Sequence, residues 1–215
     1  MAGRAVPSKL YLVVETGESA LYRLAAALAS IRPASILLRP PPGRTLDAQS
    51  VLGLIALAQK ENVAVLLEDD AQLVRVTKAD GVHLAWSKDI AARAAEAREI
   101  LGNRYMLGAD VGRSRHDAME IGEAGADYIA FGIPAHVEDR ATAAERRLEL
   151  CEWWAEIFEI PCVAFDVDDL DDAQQLADAG ADFVALRLED GRSPGDLKSF
   201  LEAADERIGA AAPTG

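Results

Sequence analysis

One short pattern recurs three times along this chain and limits what it can fold into. It reads Lys78-Ala79-Asp80-Gly81-Val82-His83-Leu84, then Ala124-Gly125-Ala126-Asp127-Tyr128-Ile129-Ala130-Phe131, then Ala179-Gly180-Ala181-Asp182-Phe183-Val184-Ala185-Leu186. Each copy ends an alanine-rich amphipathic stretch, turns on small residues with an Asp, and runs into a short apolar segment. Gly125 and Gly180 stand where the residue after a helix takes the left-handed conformation, which costs glycine nothing. The apolar segments do not alternate with polar residues, so they predict parallel strands covered on both faces. The repeated Asp falls at 80, 127 and 182, spacings of 47 and 55 residues. Each interval holds two strand–helix units, which makes the three copies alternate strands of one sheet.

The rest of the chain supplies the remaining strands. Strands are expected at 9–14, 35–38, 63–67, 82–84, 105–109, 128–131, 162–165 and 183–186, with a helix after each. Pro33 and the Pro40-Pro41-Pro42-Gly43 turn punctuate the early part, since proline cannot continue a helix or a central strand. No Gly-x-Gly-x-x-Gly follows the first strand, and eight regular units in 215 residues fit closure. The fold predicted is a single (β/α)8 TIM barrel. Residues 1–8 are expected as a disordered lead, 9–208 as the barrel and 209–215 as a loose tail.

A formal charge of −14 disfavours nucleic acid and anionic membranes as partners. No signal peptide or spanning run is present, which leads us to expect a cytoplasmic protein. Cys151 and Cys162 lack neighbours at metal-ligand spacing and read as two buried thiols. Trp153 and Trp154 are adjacent on an otherwise polar helix, where neighbours point about 100° apart, so both cannot enter the core. A homo-oligomer interface would use the outward one.

In a barrel the chemistry lies at the C-terminal ends of the strands. The candidates there include Glu15, Arg39, Glu68, Asp69, Asp70, Trp86, Asp89, Asp110, Ser114, His116, His136, Asp166, Asp168 and Arg187. Glu68, Asp69 and Asp70 are oxygen donors of the kind magnesium takes, and equally an acidic run that caps the next helix. His116 has the acid/base range of an imidazole and sits beside Ser114 and Arg113. Arg39 reads as an anion clamp, and Arg187 as a second or as a partner of Glu189. His83, inside a strand, reads as a core residue. Asp168 or Asp169 reads as a helix cap, as does Asp117.

Several of these segments resemble the thiamine-phosphate synthase family, which includes the thiazole tautomerase. They are Leu10-Tyr11-Leu12-Val13-Val14, Ala79-Asp80-Gly81-Val82-His83-Leu84, Gly112-Arg113-Ser114-Arg115-His116 with Glu120, and Gly125-Ala126-Asp127-Tyr128-Ile129-Ala130-Phe131-Gly132. The resemblance implies an enzyme that joins a pyrimidine-methyl diphosphate to a thiazole phosphate and releases diphosphate. It further implies a magnesium cofactor and small phosphorylated ligands. Carried over residue by residue, it keeps Arg39 from the loop after the second strand and Asp69 as a metal ligand. It puts Glu68 where the family has Asn. Lys88 falls where a second metal carboxylate is expected, and Asp89, one residue out of register, is the second metal ligand expected. It marks Ser114 and His116 as catalytic, His116 for the acid/base work of the tautomerase branch. Arg113, Asp166 and Arg187 complete the substrate-binding set.

The phosphate loops differ from the family pattern. No Thr-x-Thr-Lys follows the sixth strand, and the Gly-Gly after the seventh reads Asp166-Val167. The serine loop after the eighth reads Arg187-Leu188-Glu189-Asp190. The expectation is therefore a synthase-like barrel with a degenerate phosphate site and little or no thiamine-phosphate synthesis. The alternatives are a divergent member binding another small ligand or a protein partner in the barrel mouth, or a tautomerase-like enzyme using His116.

Overall fold

The computed structural model describes residues 7–210. Eight strands alternate with eight helices in the order β1 (Lys9–Glu15), α1 (Ala20–Leu28), β2 (Ser35–Arg39), α2 (Ala48–Lys60), β3 (Ala64–Glu68), α3 (Ala71–Thr77), β4 (Gly81–Leu84) and α4 (Ile90–Leu101). They continue with β5 (Met106–Asp110), α5 (Arg115–Glu123), β6 (Tyr128–Phe131), α6 (Arg140–Ile157), β7 (Cys162–Ala164), α7 (Leu170–Asp178), β8 (Phe183–Arg187) and α8 (Pro194–Gly209). The strands close into a barrel in sequence order, and each neighbouring pair is parallel. The (β/α)8 barrel expected from the apolar runs is the fold.

The repeated Asp holds the barrel's N-terminal rim. Its carboxylate reaches back to the preceding strand and accepts a backbone N–H: Asp80 from Val65, Asp127 from Leu107 and Asp182 from Cys162, each at 2.8 Å. Each Asp thus satisfies a strand-end donor that would otherwise be buried without a partner. The turns before them close as predicted, with Gly125 and Gly180 at φ +91° and +92°. There the Ala126 and Ala181 N–H groups bond five residues back, to Ile121 and Leu176. The first copy turns on Lys78, at φ +59°.

Two apolar clusters result from the alternation of side chains along each strand. The larger lies between the strands and the helices. The smaller fills the barrel and includes Tyr11, Val13, Leu37, Leu66, Tyr128, Val163, Phe165 and Ala185. Inside the barrel the Tyr128 ring lies where a β-carbon of residue 108 would be, so only glycine fits at Gly108. The Tyr128 hydroxyl bonds the Tyr11 hydroxyl at 3.0 Å and Nδ1 of His83 at 2.8 Å. His83 is the core residue expected, and burial first, then Arg39, hold its pKa down at about 3.

Several boundaries move for identifiable reasons. Asp47 is the N-cap of α2, in a capping box with Ser50. Ser114, not Asp117, caps α5: its hydroxyl oxygen accepts the Asp117 N–H at 3.1 Å. Asp169 caps α7, accepting from Asp171 and Asp172. Ser8, assigned to the lead, is buried and its hydroxyl donates to the Ala181 carbonyl. The rest of the lead up to residue 6, and residues 211–215 of the tail, lie outside the described residues. Trp154 is fully buried, donating to the Ile160 carbonyl and stacking on Phe158 at 4.0 Å between centroids. Trp153 is half-buried beneath the Arg115 guanidinium, 4.5 Å from its ring centre. Cys151 and Cys162 are buried free thiols, and the hydrogen bond from Cys151, with burial, pushes the Cys162 pKa well up. Among the described residues no helix is long and apolar enough to cross a membrane.

Candidate active site at the barrel mouth

Alternation along the strands decides which side chains reach the mouth. Leu37, Leu66 and Ala185 face into the barrel. Two residues further on, on the same inward side, come Arg39, Glu68 and Arg187, and Asp110 follows Gly108 in the same way. These four side chains form the top inward layer. Arg39 and Glu68 pair at 3.4 Å. Burial first, with Arg39 opposing it and Asp69 adding to it, raises the Glu68 pKa above the ordinary carboxylate range. A cleft of about 740 Å³ opens over this layer, lined by Arg39, Glu68, Asp69, Arg187 and the proline turn at 40–42. A second, smaller cleft of about 250 Å³ lies beside it, between the loops after β7 and β8.

Asp110 was among the strand-end candidates without a role, and the structure brings it into the site. Its Oδ1 accepts the Gly112 N–H at 2.8 Å and the Gly132 N–H at 3.1 Å. Its Oδ2 and that of Asp166 converge over Gly132, 2.5 Å and 3.1 Å from where a β-carbon there would lie. Burial above all, opposed by the Gly112 N–H and reinforced by the Asp166 charge, raises the Asp110 pKa from 3.8 to about 7. Asp166 itself stands at φ +55°, a conformation that favours glycine. Its carboxylate accepts the Ile133 N–H at 2.8 Å and pairs with Arg187 at 3.1 Å. Arg187 therefore faces Asp166, not Glu189, which pairs with Arg192. Behind this loop Arg147 of α6, fully buried, donates to the Phe165 and Asp166 carbonyls and forks onto Asp172 at 2.7 Å. Nothing in the spacing of Arg147 marked it out; only the packing of α6 against β7 does.

Asp69 also stands in the left-handed region, at φ +61°. Its Oδ1 accepts the Ala85 N–H at 2.8 Å and the Arg93 guanidinium at 2.6 Å. Lys88 and Asp89 are exposed, Asp89 at the start of α4 with no side-chain cap bond. The donor set does not suit the magnesium ion that the resemblance implied. A hard dication takes carboxylate oxygens, and Asp69 already gives its Oδ1 to a guanidinium and a backbone N–H. Asp70, the third acid of the run, caps α3 by accepting the Leu73 N–H.

Arg113, Ser114 and His116 lie on the β5–α5 connection and the start of α5. Ser114 is committed to its cap, and Arg113 is exposed. The His116 side chain is 82% exposed and faces Glu120 on its own helix at 3.7 Å. With Asp117 it forms the group among the described residues whose ligand atoms lie close enough to share a metal ion. None of these contacts joins His116 to the acids of the mouth. Trp86 packs over Gly112 and against His136, at 4.9 Å between ring centres.

The thiamine monophosphate synthase family model matches residues 10–188. The chain belongs to that family. Thiamine-phosphate synthase of Erythrobacter litoralis is 42% identical over 160 residues, 74% of this chain and 73% of that protein. The Hyphomonas neptunium thiamine-phosphate synthase is 37% identical over 190 residues, 83% of this chain and 84% of its own. Thiamine phosphate pyrophosphorylase from Pyrococcus furiosus superposes with a TM-score of 0.71 at 21% identity, over 93% of this chain and 95% of that one. Tryptophan synthase from Mycobacterium tuberculosis superposes equally well, with a TM-score of 0.73 at 15% identity over 94% and 93% of the two chains. At such identities structural likeness shows the fold alone. Membership of the synthase family rests on sequence.

Proposed function

We propose that this chain joins a pyrimidine-methyl diphosphate to a thiazole phosphate with release of diphosphate, at the arginine-bearing mouth of the barrel. The observation that carries the reading is the inward layer itself: Arg39 and Arg187 line one cleft of about 740 Å³, Arg39 paired with Glu68 and Arg187 with Asp166. The relatives' activity supports it.

The chemistry asks little of acids and bases. The carbon–oxygen bond to diphosphate breaks and the leaving group keeps the electron pair. The thiazole nitrogen then gives its lone pair to the pyrimidine-methyl carbon, and no proton need move at either atom. What the protein must supply is fixed positive charge at the leaving group and a dry, oriented pocket for the cation. Arg39 faces the cleft with part of its charge already balanced by Glu68, and a diphosphate oxygen competes for the rest. Each charge-assisted hydrogen bond contributes about 1.5–3 kcal/mol. Phe165 stacks on His83 at 4.8 Å at the barrel's centre and also lines the smaller cleft. His83 stays uncharged at neutral pH, so the aromatic floor does not repel a carbocation, and the ring faces attract one.

The thiazole phosphate falls to Arg187, whose guanidinium partly offsets the Asp166 charge that stands in place of glycine. This pairing makes the altered loop compatible with a phosphate, at weakened affinity. The second reading, a barrel that binds a different small ligand, draws on the same Asp166. A tautomerase-like role for His116 draws nothing from its contacts. Calorimetric titration with the pyrimidine-methyl diphosphate tests the proposal. Micromolar binding that falls at least tenfold in Arg39→Met is expected, and equal binding by that variant would overturn it.

A further inference from the structure

We propose that Arg93 is a built-in cation of the diphosphate site, holding Asp69, the carboxylate that the resemblance gives to magnesium, so that this chain binds diphosphate without a divalent metal. The inference rests on the diphosphate reading above and specifies how the charge is met.

The chain builds this contact from three directions. Asp69 adopts φ +61°, which carries its carboxylate across to the segment after β4, where it accepts the Ala85 N–H. Arg93, one turn into α4, comes back over the same segment. Its Nη1 donates to the Ala85 carbonyl and to the Ser87 hydroxyl, both at 3.0 Å, and its Nη2 donates to Asp69 at 2.6 Å. The guanidinium is thus anchored on backbone, hydroxyl and carboxylate at once, which orders it before any ligand arrives.

Arg93 also keeps capacity for an anion. A guanidinium carries five N–H donors in a rigid fork. The contacts named use both hydrogens of Nη1 and one of Nη2, leaving one on Nη2 and the one on Nε. The side chain is 26% exposed, and its partner Asp69 lines the same cleft as Arg39. Two donors from a group paired to a residue of the cleft suit adjacent oxygens of a diphosphate. A metal ion is less well served. Asp69 gives its closest oxygen to Arg93, Lys88 brings a positive charge to the position of a second carboxylate, and Asp89 is exposed at the head of α4. A dication at Asp69 would stand against the guanidinium at short range.

The test is calorimetric titration of inorganic diphosphate into the full chain, once in EDTA and once in excess magnesium. The expected result is equal affinity within threefold in the two buffers. Arg93→Met should weaken binding at least thirtyfold in EDTA and recover most of it in magnesium, because Asp69 is then released to the metal. Asp69→Asn provides a second variant in case Arg93→Met unfolds. Freed of its charge partner, Arg93 should bind diphosphate at least threefold tighter in EDTA. Wild-type binding that is tenfold or more weaker in EDTA, or Arg93→Met binding as wild type there, overturns the proposal. No binding in either buffer overturns the diphosphate reading itself, and this inference with it.

Discussion

Replacing Asp166 with glycine should tighten thiazole-phosphate binding while leaving the fold intact. Two local changes set the balance for stability. The Ile133 N–H loses its 2.8 Å acceptor, which costs about 1 kcal/mol. The backbone at φ +55° passes to a residue for which that conformation is unstrained, which returns about 1 kcal/mol. Stability is then expected within roughly 1 kcal/mol of wild type. For the ligand, Asp166→Gly removes a negative charge and releases Arg187. Two unit charges about 4 Å apart repel by roughly 4 kcal/mol at an effective dielectric near 20. The Arg187 side chain is 60% exposed at the mouth, so screening and the original ion pair reduce the gain to about 1.5–3 kcal/mol. Each 1.4 kcal/mol is about tenfold, so affinity should improve roughly 10- to 100-fold. Calorimetry with the thiazole phosphate reads this directly. Unchanged or weaker binding in a variant that melts normally would refute the electrostatic reasoning for this loop.

Three further outcomes follow from the packing and the charges. Gly108→Ala must push a β-carbon into the Tyr128 ring, and overpacking of this kind should cost about 3 kcal/mol, a fall in melting midpoint of roughly 6–12 °C. Arg147→Met leaves Asp172 without its forked partner and the Phe165 and Asp166 carbonyls without a donor. A loss of about 3–5 kcal/mol by denaturant unfolding is expected, with faster hydrogen exchange through residues 165–169. Asp110 binds its proton more tightly folded than unfolded, so its ionisation opposes folding and stability falls as pH rises from about 4 to about 7. Asp110→Asn should therefore melt higher than wild type at pH 8 and about the same as wild type at pH 4, and matching curves at pH 8 would count against the shift.

The barrel was legible because its signals are local. Unbroken apolar runs such as Tyr128-Ile129-Ala130-Phe131 can only be strands covered on both sides, and Gly125 and Gly180 mark the turns before two of them. The repeated Asp was visible as a pattern, but its task of bonding the strand before it was not, because the acceptor and donor lie 15 to 20 residues apart. The mouth was half legible. Arg39, Glu68, Asp69, Asp166 and Arg187 were found as strand ends and do gather there. Asp110 was found with them as a strand end, and counting in steps of two from Gly108 would have placed it in the same layer. Partner choice was out of reach. Arg93 meets Asp69 across 24 residues, and Arg187 meets Asp166 across 21, through loop geometry that no spacing rule encodes. The pairing of Ser114 with the Asp117 N–H shows the same limit at short range. Either residue suits a helix start, and only the position of the first helical turn decides between them.

The most direct test of the account is a turnover experiment with purified chain, pyrimidine-methyl diphosphate and thiazole phosphate, followed by mass spectrometry of the products. Thiamine phosphate and diphosphate are expected in equal amounts, formed more slowly by Arg39→Met and faster at limiting thiazole phosphate by Asp166→Gly. Absence of thiamine phosphate from both the unmodified chain and Asp166→Gly, with the pyrimidine substrate recovered intact, would contradict it.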